Sequence, residues 1–123
     1  MADPDQAARP VRELRWPDLL LWGLRLRRRY RVTGSSMLPT LTQGQQVLVD
    51  PRAYRNRSPV PGEVVVVRHP HRSDMKLIKR VASVEPGGGL RVVGDNPAAS
   101  TDSRTLGIVP PQLLLGRVQC RLP

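Results

Sequence analysis

The sequence predicts a small, mainly β, barrel-like domain with one short N-terminal helix. Three observations predict it. Valine, leucine and isoleucine come in short blocks, some alternating with polar residues, as strands require. Thirteen prolines and ten glycines punctuate the chain between those blocks, so turns recur. Aromatic residues make up 3% with no Phe, so the core must be aliphatic, and 123 residues suffice for one core.

Residues 1–15 read as a flexible N-terminal segment. Residues 16–30 (WPDLLLWGLRLRRRY) read as a short basic amphipathic helix. Pro17 suits a first turn, Asp18 complements the helix dipole there, and arginines gather at the far end. Trp16, Leu20 and Leu24 share one face; Leu19, Trp22 and Leu26 share another. Such a helix packs on the domain or, alternatively, lies on an anionic membrane surface through Arg25, Arg27, Arg28, Arg29 and Arg31.

Residues 31–123 read as the β domain. QQVLVD at 45–50 alternates as a half-buried strand does. SPVPG at 58–62 is a turn, and EVVVVR after it carries a run of four valines, the pattern of a strand buried on both faces. HPHRSD at 69–74 reads as a loop, MKLIKRVASV at 75–84 as a strand, and EPGGG at 85–89 as its hairpin exit. LRVV at 90–93 returns, GDNPAASTDSR at 94–104 is a long polar loop, and LLLGRVQ at 113–119 is the last strand.

Composition narrows the function. The chain has 20 basic residues against 10 acidic ones, a net charge of +10, and only Lys76 and Lys79 among the basic ones are lysines. Arginine does not lose its proton in a protein, so only those two side chains could serve as basic amines. Such charge suits nucleic acid, an anionic membrane surface or an acidic substrate. The longest apolar run, Leu19 to Leu24, is six residues where about 20 are needed to span a bilayer, and no secretory signal is recognisable. The expected location is therefore cytoplasmic. The lone Cys120 excludes an internal disulfide and a multi-cysteine metal site, and neither a metal nor a cofactor is expected.

Three segments could carry chemistry. In TGSSMLPTL at 33–41, two serines follow a glycine on a tight turn that Pro39 stiffens. Such a turn presents a hydroxyl beside backbone N–H groups, as acyl transfer needs for nucleophile and oxyanion hole. In the 75–84 strand, Lys79 lies between Leu77 and Val81 on the more apolar face, whereas Lys76 shares its face with Arg80. Burial of Lys79 would disfavour its charged form and make a general base of it. In GDNPAASTDSR, Ser100, Asp102, Ser103 and Arg104 could form a polar shell around a neighbouring site.

In their order and wording, GSSMLPTL, PGEVVVV, LIKRVASVEPG and VVGDNPAASTDSRTLGIVP resemble the type I signal peptidase family of serine/lysine endopeptidases, over about residues 32–119. The resemblance implies a signal-peptidase-type β fold, Ser36 as nucleophile and Lys79 as general base. It implies that Ser100 orients that lysine and that Asp102 and Arg104 form an ion pair beside the site, with Asp95 and Arg80 a second. Many such relatives carry a serine two positions before the nucleophile as an oxyanion donor. Here that position is Gly34, so the hole would rest on the Ser36 backbone N–H with Ser35 or Thr33 helping. A short, Arg-rich chain without an anchor is most similar to the proteases that mature nickel-type superoxide dismutases. The implied partner is that proenzyme, whose leader would be removed; nickel would belong to the substrate.

Other readings draw on the same residues. A general signal peptidase-like enzyme at a membrane surface would use the same dyad. A nucleic-acid module would use Arg25 to Arg31, but the sequence lacks the interleaved aromatics of a stacking surface, and no nucleic acid is expected. His69 and His71 could serve a triad or a metal site only with partners that the pattern does not supply.

Overall fold

The computed structural model describes residues 10–23, 26–98 and 106–123. Among them are one α-helix, α1 (Trp16–Gly23), and six strands: β1 (Arg28–Arg31), β2 (Gln46–Asp50), β3 (Val64–His69), β4 (Arg72–Val84), β5 (Leu90–Val93) and β6 (Leu114–Arg121). All six join one antiparallel sheet in the order β1-β2-β6-β3-β4-β5. The fold is thus mainly β with one short helix, the architecture the sequence predicts.

The run of four valines explains itself in β3. Successive side chains leave opposite faces of a strand. Val64 and Val66 enter one core with Val32, Met37, Leu41, Val47, Val49 and Val118; Val65 and Val67 enter a second with Val81, Leu90, Val92, Leu106 and Val109. Both faces of the central sheet are therefore covered. Tyr30 of β1 and Ile78 of β4 pack on the same first core, although three strands separate them in the sheet. The sheet must curl to bring them there, and register shifts in β2, β3 and β4 supply local bends. Gly116 permits the close approach of β6 to β2: a Cβ there would stand 2.6 Å from the Asp50 carbonyl oxygen and 2.7 Å from Val49 Cγ1.

Glu63, at the mouth of β3, anchors the preceding turn. Its carboxylate accepts hydrogen bonds from Tyr54 Oη, the Val60 N–H, Arg57 and Arg117. Burial alone would raise its pKa, but these donors outweigh burial and hold it below the usual carboxylate range. Burial and the neighbouring Glu63 push the Tyr54 hydroxyl upward. Cys120 is fully buried in β6, and burial raises its thiol pKa.

The N-terminal third differs from the sequence expectation. The helix does not run over 16–30: it ends at Gly23, a poor helix former, and Arg28–Arg31 is strand. There the backbone gains ladder partners in β2, and Tyr30 gains a core to pack on. The expected apolar faces are not both buried, for Trp16 is 83% exposed and Leu20 65%. What ties α1 down is polar: Asp18 is buried, accepts two hydrogen bonds from Arg12 at 2.6 and 2.7 Å, and accepts one from the Arg15 N–H at 2.8 Å. Residues 10–15 are likewise held rather than free. Val11 is buried, Glu13 bridges to Arg121, and the Arg121 N–H donates to the Arg12 carbonyl. The loop expected over 69–74 shrinks to a turn, because Arg72 to Asp74 already belong to β4.

Candidate active site

The serine turn is built from its neighbours. β1 runs into Val32, whose N–H and carbonyl bond to the 44–45 backbone. Gly34 then turns the chain at φ 73°, a conformation glycine takes without steric cost. A serine at this position would bear that cost. Beyond the serines, Met37 and Leu41 sink into the first core, and the Leu41 N–H bonds the Met37 carbonyl. Ser35 and Ser36 are left half-buried between this anchor and the strand.

A second element grips the turn from behind. The Asn96 N–H donates to the Ser36 carbonyl at 2.8 Å, and Asn96 Nδ2 donates to the Ser35 carbonyl at 3.0 Å. Next to it, Asp95 accepts from Thr40 Oγ1 and from Arg80 Nε and Nη2 at 2.8 and 2.7 Å. Arg80 is 1% exposed, and its third nitrogen, Nη1, donates to the Gly62 carbonyl at 2.7 Å. A buried guanidinium needs such complete pairing, since leaving one charge unmatched costs several kcal/mol (roughly 3–5). The Arg80–Asp95 pair thus fixes the 95–96 turn, which fixes Ser35 and Ser36.

Lys79 is the next residue along β4, opposite Val65, and is 2% exposed. Withdrawal of an ammonium from water penalises its charged form. Ser36 and Lys79 line one narrow pocket of about 60 Å³, with Met37, Val66, Leu77 and Ile78 as its apolar wall. A hollow of about 250 Å³ beside Gly62 is lined by Arg12, Glu63, Arg80 and Arg117, all already ion-paired, and holds no nucleophile.

Ser100, Asp102 and Arg104 lie outside the described residues. Asn96 is the residue sequence reasoning missed. Its part is played through backbone carbonyls some 60 positions away, which leave no pattern of their own; its place directly after Asp95 was the only signal. His69 and His71 sit at the β3–β4 turn, where the His71 N–H donates to His69 Nδ1, and neither lines the Ser36 pocket.

A family profile described as signal peptidase, peptidase S26, matches residues 19–89. The mitochondrial ATP-independent inner membrane protease subunit 1b of Arabidopsis thaliana is 34% identical over 111 residues, covering 72% of this chain and 66% of that protein. The mitochondrial inner membrane protease subunit 1 of Xenopus tropicalis is 29% identical, with 73% and 65% covered. Signal peptidase I of Aquifex aeolicus is 35% identical over 52 residues, 42% of this chain and 20% of that protein. The chain spans about two thirds of the length of the mitochondrial relatives it matches.

Proposed function

The chain belongs to the signal peptidase, peptidase S26, family, and on that premise we propose that it is a serine endopeptidase with Ser36 as nucleophile and Lys79 as general base. The observation that carries this reading is that the two residues line one pocket, with Lys79 almost wholly buried.

The chemistry then runs as follows. Neutral Lys79 Nζ takes the proton from Ser36 Oγ as that oxygen attacks the scissile carbonyl carbon. The oxyanion is met by the Ser36 backbone N–H, with Ser35 or Thr33 helping. Lys79, now charged, returns the proton to the leaving amine, and water hydrolyses the ester. Ser100 orients the lysine, and Asp102 and Arg104 pair beside the site; these three roles rest on the sequence resemblance.

On that same resemblance, the substrate is the precursor of a nickel superoxide dismutase, processed in the cytoplasm. Purified wild-type chain incubated with that proenzyme should release its leader, read as a new N-terminus by mass spectrometry, and Ser36→Ala and Lys79→Ala should not. Cleavage by either variant would overturn the dyad. An uncut proenzyme beside other cleaved peptides would overturn only the substrate.

The second reading is a signal peptidase-like enzyme working at a membrane surface. It is favoured by the exposed Trp16 and Leu20 of α1 and by the inner-membrane naming of the relatives. Co-sedimentation with anionic but not neutral vesicles, lost in Trp16→Ser/Leu20→Ser, would select it. Among the described residues no helix is long and apolar enough to cross a membrane.

A further inference from the structure

We infer that the active-site groove selects peptides carrying a carboxylate close to the cleaved bond, and that Lys76 and Arg31 read it. The inference rests on the peptidase reading above and names the substrate class of that same site.

The Ser36 pocket has two walls, the Lys76–Lys79 stretch of β4 and the segment from Tyr30 to Thr33. Each wall carries an exposed cation at its edge, Lys76 on one and Arg31 on the other. None of the described residues lining the pocket is acidic. Elsewhere in the described structure some arginines find carboxylates, as Arg12 does with Asp18, Arg57 and Arg117 with Glu63, Arg80 with Asp95 and Arg91 with Glu85, whereas others such as Arg28, Arg29 and Arg68 do not. Lys76 and Arg31 make no ion pair among the described residues. Asp74, one pleat away from Lys76 on the same face of β4, is exposed and does not pair with it. Asp95, bound to the serine turn through Thr40, is already matched by Arg80.

The Lys76 amine is moreover held in place. Its Nζ lies 5.3 Å from the centroid of the Tyr30 ring, across the mouth of the curled sheet. A cation over an aromatic face is attracted by the ring quadrupole, so this charge is localised at the rim instead of sweeping through solvent. Two like charges beside one opening repel each other, and a carboxylate arriving between them relieves that repulsion. An extended peptide places side chains on one side every second residue, roughly 7 Å apart. A carboxylate within about three residues of the scissile carbonyl therefore reaches the rim.

The test is a cleavage-specificity profile of the full chain on a peptide library derived from a digested proteome, with cut sites read by mass spectrometry. Wild type should cut bonds at which Asp or Glu is enriched within three residues, by roughly two- to fivefold over their amide counterparts. The Lys76→Gln/Arg31→Gln variant should lose that enrichment, and Lys76→Glu/Arg31→Glu should favour Lys and Arg instead. Both positions are exposed, and matching thermal melts would certify the fold of each variant. For one peptide in Glu and Gln forms, the kcat/KM ratio should collapse toward one in about 0.5 M salt. Cut sites without charge bias, or the same bias in the neutral variant, would overturn the inference and leave the peptidase reading standing. No cut bond at all would overturn both.

Discussion

Lys79 and Arg80 are neighbours in β4, both cationic and both at most 2% exposed, yet they face different surroundings. Arg80 is surrounded by acceptors, two oxygens of Asp95 and the Gly62 carbonyl. Lys79 lines a pocket shared with Ser36 and with both polar and apolar neighbours, Thr33, Lys76, Met37 and Val66 among them. A guanidinium keeps its proton at any ordinary pH, so it can be buried only with a matching anion. An amine has another option, since it can give the proton up. One strand thus carries a guanidinium locked in an ion pair with Asp95 and, beside it, a buried amine that the proposed mechanism uses as a base.

The largest effect expected is on the lysine side. Lys79→Arg keeps a cation at the position but removes the option of neutrality, so kcat should fall on the order of 10³-fold. Steady-state assays alongside far-UV circular dichroism would check it; appreciable activity in a folded Lys79→Arg protein would erase the distinction drawn between the two cations. The proposed mechanism, in which the neutral amine acts as base, predicts that kcat/KM of the wild type rises with pH. A profile flat between about pH 6 and 9 would contradict it.

On the arginine side the expected loss is in stability. Arg80→Met leaves Asp95 buried without its cation and should cost about 3–5 kcal/mol in denaturant unfolding. The double variant Arg80→Met/Asp95→Leu should recover much of that, since neither charge is then stranded. A smaller effect belongs to the link between the two. Asn96→Ala removes the bond to the Ser35 carbonyl while keeping the backbone bond to Ser36, and should cost about 1 kcal/mol. Its kinetic mark should be a lower kcat at nearly constant KM, which a purely structural loss would not produce.

The smallest effect concerns a third charge pair, remote from the site. Hydrogen bonds from Arg12 hold the Asp18 carboxyl below the usual carboxylate range. Its folded pKa lies below its unfolded one, so its stabilisation is complete above the unfolded value near about 3.9 and fades as pH falls through the folded value. The melting temperature of Asp18→Asn should therefore fall less between about pH 5 and 3 than that of the wild type. Equal slopes would show that this pair does not couple folding to protons.

The strands were legible because aliphatic blocks and their Pro/Gly punctuation are local signals. The four valines of β3 announced a buried strand, and Leu77 and Val81 marked the more apolar face on which Lys79 lies, though not that its amine stays inside. The helix was overextended because the arginine-rich stretch after Gly23 has helical propensity on its own. Its actual conformation is decided by β2, whose edge is only available once the sheet exists. Trp16 and Leu20 had an amphipathic pattern, but the tether of α1 proved to be Asp18 with Arg12. The hold of Asn96 on the serine turn was invisible for the same reason: it joins segments distant in the chain through main-chain oxygens, which every residue type carries alike.

The burial of Cys120 has a practical side. The chain's single sulfhydryl is shut inside β6 with its thiolate form disfavoured, so maleimides and mild oxidants will find little to attack in the folded protein. A cysteine introduced at exposed Ser73, near the β3–β4 turn, would then be the one position open to a fluorophore or cross-linker, giving a reporter of substrate docking on an otherwise silent background.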